Sequence, residues 1–219
     1  MIKKQQGDET LIDKLKHQFQ SRTATILGSK DVMKSAVMLP LCERHGDAHI
    51  LFEVRAFTLQ SQPGEICFPG GKVDKEDISY ADTAKRELCE ELGIQVQEIE
   101  VIAPLDILVT PFRGIIYPYL GEINKNATLS PNPQEVDSVF TVPLSTLLEM
   151  EPETFETNIH FEPGKQFPFN KIPNQSKYNK RTHTFTELFY YYDEHVIWGL
   201  TARILHHFLQ TIKEAETKG

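Results

Sequence analysis

One segment, from Gly64 to Ile94, constrains the fold most strongly because it joins a glycine turn to a helix rich in carboxylates. Apolar side chains recur in it at helical spacing and predict a helix that packs on a sheet: Ala81, Ala84, Leu88 and Leu92. Glu87 and Glu91 are one helical turn apart, and Glu90 lies three residues after Glu87. The carboxylates therefore converge beside the helix.

Carboxylates this close together repel one another unless a cation lies between them. Mg²⁺ suits such a place, since it prefers a few carboxylates together with water and phosphate oxygens. Pro69, Gly70 and Gly71 precede the helix, and glycines let the backbone pass close to a ligand. The segment therefore predicts a site that holds a divalent metal ion against a diphosphate.

The same residues resemble the Nudix box, whose pattern is Gly, five residues, Glu, seven residues, Arg-Glu-apolar-any-Glu-Glu-any-Gly-apolar. Over residues 71–94 the chain supplies Gly71, Asp77, Arg86, Glu87, Leu88, Glu90, Glu91, Gly93 and Ile94. Asp77 stands where Glu is usual, and eight residues rather than seven separate it from Arg86. The resemblance implies an ion pair between these two residues. It also implies an α/β fold, the Nudix-type αβα sandwich with a mixed β-sheet between helices.

The segment before the box resembles the coenzyme A pyrophosphatase branch of that family. The residues that match are Arg55, Leu59, Gly64, Glu65, Phe68 and Pro69. The resemblance resumes at 132–144 and at 197–202. It implies that the substrate-binding residues include Arg55, Phe68 and Gly70. Where the branch usually has Arg and His, this chain has Gln60 and Gln62.

By this resemblance the chain is a hydrolase that cleaves a diphosphate linkage with water and uses Mg²⁺ or Mn²⁺. The implied metal ligands are Glu87, Glu90, Glu91 and Gly71 through its backbone carbonyl. The implied catalytic residues are Arg86, Glu90, Glu91 and Glu135. Glu135 lies outside the box and is the candidate general base, with Glu122 and Glu65 as rivals. The alternative for Glu135 is a loop carboxylate in water.

Residues 151–182 contain four prolines and little periodicity, so the sequence predicts a long loop there. Cationic side chains gather towards its end: Lys171, Lys177, Lys180 and Arg181. We hypothesise that Lys180 and Arg181 bind the 3′-phosphate of coenzyme A, because these charges stand out in an acidic chain. The alternative is a solvated loop.

Hydrophobic periodicity predicts the remaining elements. Helices are expected at 9–20, at 143–150 with Pro143 in the first turn, and from Ile197 to Ile212. Strands are expected at 34–43, 47–55, 99–109, 114–123, 136–142 and 185–192. The predicted organisation is a helical extension at 1–30 and a single Nudix hydrolase domain at 31–215.

Composition disfavours several other functions. The net charge of −8 disfavours broad nucleic-acid binding, and no apolar run approaches the length of about eighteen residues needed for a membrane span. The first residues do not read as a secretory signal. Cys42, Cys67 and Cys89 are scattered, which predicts reduced thiols in a cytoplasmic protein. The expected partner is a small nucleotide diphosphate, and the family analogy suggests a homodimer.

Three functions remain open from the sequence. The first is hydrolysis of coenzyme A or acyl-coenzyme A to adenosine 3′,5′-bisphosphate and (acyl-)4′-phosphopantetheine. The second is hydrolysis of another nucleoside diphosphate derivative, such as ADP-ribose or NADH, which Gln60 favours. The third is a non-catalytic ligand sensor, but sensors commonly lose box glutamates and this chain keeps them.

Overall fold

The structure, a computed structural model, describes residues 10–110, 114–173 and 181–218. The chain divides into two compact units, Met1–Val32 and Met33–Gly219. The predicted functional division into 1–30 and 31–215 stays a prediction, because compactness does not test what each part does.

The described part of the smaller unit contains one helix, α1 (Leu11–Phe19), which confirms the helix predicted at 9–20. It begins with a capping box in which the Thr10 side chain accepts a hydrogen bond from the Asp13 amide and Asp13 accepts one from the Thr10 amide. None of the residues of α1 is buried, so local hydrogen bonds rather than a core define this helix.

The larger unit is built on a mixed sheet of eight strands. They are β1 (Lys34–Arg44), β2 (Asp47–Arg55), β3 (Ile66–Cys67), β4 (Gly70–Lys72), β5 (Ile99–Pro104), β6 (Leu108–Thr110), β7 (Gly114–Ile123) and β8 (Val136–Pro143). The sheet runs in the order β3-β2-β1-β7-β5, and β4, β6 and β8 pair with β1, β7 and β2. Strands β1 and β7 are parallel, and the other pairs are antiparallel.

Helices cover both faces of this sheet. They are α2 (Tyr80–Leu92), α3 (Leu144–Glu149) and α4 (Gly199–Lys218), with single 3₁₀ turns at Val96–Glu98 and Phe169–Lys171. On one face, Leu88 of α2 packs in a core cluster with Leu51 of β2. On the other face, Leu205 of α4 packs in a second cluster with the adjacent residue of β2, Phe52. This alternation along the strand confirms the predicted αβα sandwich.

Helix α2 begins and ends at residues whose chemistry explains its bounds. The Ser79 side chain accepts a hydrogen bond from the Asp82 amide, and Gly93 ends the helix with a left-handed φ of 65°. The predicted apolar stripe needs one correction, because Ala81 is only half-buried whereas Thr83 is fully buried. Thr83 can be buried because its hydroxyl donates to the Asp77 carboxylate at 2.8 Å.

A second sheet follows, and it corrects the loop predicted at 151–182. Its three strands are β9 (Glu153–Phe161), β10 (Arg181–Tyr192) and β11 (His195–Trp198), paired antiparallel in the order β11-β10-β9. Pro152 and Pro163 flank β9 rather than interrupt it, and Pro168 and Pro173 lie between β9 and β10. Because β9 is almost wholly exposed, it lacks the clear apolar face that identifies strands from sequence.

Three smaller expectations were also wrong. The strand predicted at 99–109 is broken after Pro104, which has no N–H group with which to extend the ladder. Pro143 is the N-cap of α3 rather than part of its first turn. Ile197 belongs to β11 instead of the final helix, since the backbone turns at Gly199 with a φ of 64°.

In the part of the chain described here, no helix is both long and apolar enough to cross a membrane.

Candidate active site

The glutamates of α2 face the glycines of β4. The Gly70 amide donates a hydrogen bond to Glu91 Oε2 at 2.8 Å. Gly71 lies against the Glu87 carboxylate so closely that a Cβ atom on Gly71 would overlap it. Both glycines also line a cavity of about 380 Å³. The helix carboxylates therefore lie beside the glycines that line this cavity.

Arg86 connects the loop before α2 to the helix. Its Nε and Nη2 atoms donate to the two Asp77 carboxylate oxygens at 3.0 and 3.1 Å. Its Nη1 atom lies 2.9 Å from Glu87 Oε1 and 3.1 Å from Glu90 Oε2, and Nη2 also donates to the Lys72 carbonyl at 3.2 Å. The hydrogen bonds from Arg86 hold the pKa of Asp77 well below its usual range. The implied ion pair is therefore present despite the longer loop.

A further carboxylate, Glu53, belongs to this site and was missed in the sequence. It lies on β2 and is only 1% exposed. Its Oε1 atom accepts a hydrogen bond from Cys67 Sγ at 3.1 Å, whereas its Oε2 atom is buried without a hydrogen-bond partner. The available signal was one acidic residue inside the apolar run of a buried strand.

The charges of these carboxylates affect one another's pKa values. Burial, together with the charge of Glu53, raises the pKa of Glu91 to about 9. Burial raises the pKa of Glu53 to about 7 and also raises the pKa of Glu87. The charge of Glu135 adds to the upward shift of all three pKa values. Ionisation of all these carboxyl groups at once is therefore unfavourable unless a cation lies between them.

This donor set fits a hard divalent cation. Carboxylate oxygens are the ligands that Mg²⁺ and Mn²⁺ prefer, and the buried Oε2 atom of Glu53 has no protein partner. Within 10–110, 114–173 and 181–218, no three His, Cys, Asp or Glu side chains are grouped as metal ligands in their present rotamers. Glu87 is turned towards Arg86 and Glu91 towards the Gly70 amide. Binding an ion would exchange these contacts for metal bonds.

The three candidate general bases, Glu135, Glu65 and Glu122, have different surroundings in the structure. Glu135 is exposed, and its backbone carbonyl accepts a hydrogen bond from the Ala56 amide at 2.8 Å, just beyond the end of β2. Glu65 lines the cavity and accepts a hydrogen bond from Gln62 Nε2.

Glu122 lies elsewhere on the sheet. It is opposite Leu41 on β1, whereas Gly71 is opposite Ala36, five residues earlier on the same strand. At about 3.3 Å per residue this places Glu122 far from the carboxylate group. Glu122 is therefore removed as a candidate base.

The predicted substrate-binding residues have different surroundings. Arg55 lines the cavity and its Nε atom is buried without a partner, so it is available to an anionic ligand. Phe68 also lines the cavity but is 4% exposed, and its ring stacks on Phe52 with centroids 5.0 Å apart. Lys180 lies outside the described residues, and only the backbone of Arg181 is described. Their proposed role stays a hypothesis.

Comparison with known proteins agrees with this geometry. A family model described as the NUDIX domain matches residues 33–162, more than half of the chain. The chain belongs to the NUDIX domain family. The Nudix box lies wholly within the match, as do Glu53 and Glu135.

Two relatives of this Nudix protein are similar over long stretches. Peroxisomal coenzyme A diphosphatase NUDT7 of Mus musculus is 36% identical over 134 residues, which cover 61% of this chain and 56% of the relative. Mitochondrial coenzyme A diphosphatase NUDT8 of Homo sapiens is 32% identical over 181 residues, 81% of this chain and 69% of the relative. The chain thus spans just over half the length of the mouse relative. The resemblance to the coenzyme A branch is confirmed.

Among the solved structures that the chain matches is the MutT/nudix family protein from Enterococcus faecalis. It is 15% identical, and the match covers 95% of this chain and 70% of that one with a TM-score of 0.49.

Proposed function

We propose that this Nudix protein hydrolyses the diphosphate bond of coenzyme A or acyl-coenzyme A. The products would be adenosine 3′,5′-bisphosphate and (acyl-)4′-phosphopantetheine. The observation that carries the proposal is the position of Glu87 and Glu91 against Gly70 and Gly71, which line the cavity. The names of the mouse and human relatives support coenzyme A as the substrate.

The proposed cofactor is Mg²⁺ or Mn²⁺, held by Glu87 and Glu91. Glu90 and the Gly71 carbonyl are further candidate ligands, although Glu90 is paired with Arg86 and more than half exposed. When bound, the ion would neutralise charge on the diphosphate oxygens and lower the pKa of a coordinated water.

Three residues of the protein, Glu135, Arg86 and Arg55, would have separate roles in the hydrolysis. Water attacks one phosphorus atom, a new P–O bond forms, and the bond from that phosphorus to the bridging oxygen breaks. Glu135 would accept the proton released by the water, a role supported by the contribution of its charge to the raised pKa of Glu91. Arg86 would orient Glu87 and Glu90 through its ion pairs. Arg55 would bind a substrate phosphate, for which its unpartnered Nε atom is suited.

A product assay over a panel of diphosphates tests the proposal. Coenzyme A, acetyl-coenzyme A, ADP-ribose and NADH are incubated with and without Mg²⁺ or Mn²⁺, and the products are separated. We expect metal-dependent release of adenosine 3′,5′-bisphosphate, with coenzyme A or its thioester hydrolysed fastest. Hydrolysis of ADP-ribose or NADH at a higher kcat/KM would support the second function. Gln60, where the coenzyme A branch has Arg, favours that alternative. If none of these compounds is hydrolysed, the result would support the third function, a non-catalytic ligand sensor.

The basic segment needs a separate test. Coenzyme A and 3′-dephospho-coenzyme A are compared as substrates before and after Lys180→Ala and Arg181→Ala. If these residues bind the 3′-phosphate, the preference for coenzyme A falls in the variants. An unaltered preference rules the hypothesis out.

Two further features belong to the proposal. We place the protein in the cytoplasm, which its free cysteines Cys42, Cys67 and Cys89 support. The mouse relative is named peroxisomal and the human one mitochondrial. Localisation of this protein itself in its own cells tests the proposed cytoplasmic location. We also propose a homodimer by analogy, which sedimentation of the purified protein would test.

A further inference from the structure

Glu53 is a carboxylate outside the Nudix box with an unusual environment. It is 1% exposed, Cys67 Sγ donates to its Oε1 atom, and its Oε2 atom has no hydrogen-bond partner. A buried and unpartnered carboxylate oxygen is costly, so it is stable only when a proton or a cation compensates its charge. The groups around Glu53 determine whether a proton or a cation compensates its charge.

The strand places Glu53 on the face covered by α2. Side chains alternate along β2, and Leu51, two residues before Glu53, packs with Leu88 of α2. The intervening residue, Phe52, packs on the opposite face. Glu53 therefore points towards the helix that carries Glu91, and the charge of Glu53 contributes to the raised pKa of Glu91.

We propose that Glu53 is a ligand of the divalent cation that α2 binds, and that it contributes its free Oε2 atom beside Glu87 and Glu91. This inference rests on the proposed metal-dependent function. The helix and the sheet would then supply carboxylates from two different directions. Such an arrangement suits Mg²⁺, which requires nearly octahedral coordination. A cation compensates the charges of several carboxylates at once, whereas a proton neutralises only one.

The competing explanation is that Glu53 remains a protonated core residue that only packs under α2. The two explanations differ in metal affinity measured without substrate. Mn²⁺ binding to the full-length protein can be followed by electron paramagnetic resonance of the free ion. We expect Glu53→Gln, which keeps the shape of the side chain, to weaken Mn²⁺ binding roughly 10- to 100-fold.

A second readout does not depend on activity either. Mn²⁺ bound to the folded state raises the Tm, and the rise grows with affinity. In Glu53→Gln we expect a smaller Mn²⁺-induced rise. The metal-free Tm should be equal to or above that of the unaltered protein, because a buried carboxylate whose Oε2 atom has no hydrogen-bond partner has been removed. If Glu53→Gln does not fold, Glu53→Met serves as a second neutral variant of similar size.

Matched variants separate the outcomes. Glu100→Gln changes an exposed glutamate on β5 and should leave Mn²⁺ affinity unchanged. Glu87→Gln alters a proposed box ligand and should weaken binding. If Glu53→Gln or Glu53→Met binds Mn²⁺ as tightly as the unaltered protein while Glu87→Gln does not, the inference about Glu53 is overturned and the proposed function stands. If Glu87→Gln also binds Mn²⁺ as tightly as the unaltered protein, the proposal that α2 holds the metal ion is itself overturned.

Discussion

At the scale of single residues, the site depends on close packing between glycine backbone and glutamate carboxylates. A Cβ atom at Gly70 would overlap the backbone of β1 at Ala36, and one at Gly71 would overlap the Glu87 carboxylate. Each glycine thus allows a contact that no other residue permits. The chemistry of the carboxylates depends on this backbone as much as on their own identity.

The first prediction concerns Gly71→Ala. The added methyl group displaces the Glu87 carboxylate, so we expect Mn²⁺ affinity and kcat/KM to fall roughly 10- to 100-fold while the fold is retained. Isothermal titration calorimetry and steady-state kinetics measure the two effects. Gly164→Ala is the matched control, because a Cβ atom there has no neighbour within 4 Å. Equal affinity in both variants would contradict the prediction.

The second prediction concerns the base. Glu135→Gln keeps the size of the side chain but cannot accept a proton, so we expect kcat to fall by about 10²-fold or more. KM should change by less than about 3-fold, because no binding contact is removed. Glu100→Gln controls for removing one exposed negative charge. An unchanged kcat would remove Glu135 from the mechanism.

The sequence located most of these residues for a simple reason. Glu87, Glu90 and Glu91 share one helix, so their relative positions follow from local geometry. Glu53 lies on a different element, and its proximity to Glu91 depends on how α2 packs on the sheet. Tertiary packing cannot be read from spacing along the chain. A lone acid in an apolar strand was the signal that remained visible.

At the scale of elements, α2 is held at both ends by its caps and along its side by Arg86. The loop before the helix has one residue more than the usual box, yet Asp77 still reaches Arg86 with both oxygens. The Asp77 carboxylate is also held by the Asp74 amide and the Thr83 hydroxyl, each at 2.8 Å. The extra residue therefore does not prevent the ion pair between the loop and the helix.

The third prediction tests this connection. Asp77→Asn removes the charge that Arg86 contacts, and we expect it to lower the free energy of unfolding by ~1–2 kcal/mol. Urea unfolding at neutral pH measures the change. Asp137→Asn alters an exposed aspartate on β8 and should change the free energy of unfolding by less than about 0.5 kcal/mol. Equal effects of the two variants would show that the ion pair contributes nothing specific.

Strands with a buried face were predicted well, whereas the exposed strand β9 was missed. The strands β1 and β2 each carry a run of buried residues, and both agree with the sequence prediction. Strand β9 pairs with β10 along its whole length but exposes nearly all its side chains. Its backbone pairing, rather than any buried face, defines it, and the apolar alternation that identifies a strand from sequence is absent from it.

At the scale of the whole molecule, the hydrophobic core belongs to the larger unit. Both core clusters are formed by residues from Ala36 onward, one on each face of the mixed sheet. The smaller unit contains α1, whose apolar residues Leu11, Leu15 and Phe19 are exposed. The stability of the αβα sandwich is therefore expected to depend on residues after Met33.

The last prediction follows from this distribution. Deletion of 1–32 removes none of the buried hydrophobic residues that the structure describes, so we expect the shortened chain to fold. Its Tm should change by less than about 4 °C, which corresponds to ~1 kcal/mol for a unit of this size. Its kcat/KM for coenzyme A should stay within about 3-fold of the full-length value.

A variant with a smaller core residue in the shortened chain shows how large a loss of stability the unfolding measurements can detect. Leu88 of α2 is 0% exposed, and Leu88→Ala should lower the free energy of unfolding by ~2–5 kcal/mol. Thermal and urea unfolding are compared for the full-length chain, the deletion and the deletion with Leu88→Ala. If deletion of 1–32 alone costs as much as Leu88→Ala, the first residues contribute to stability in a way that burial does not reveal. If it costs little and hydrolysis persists, residues 33–219 contain the complete catalytic unit.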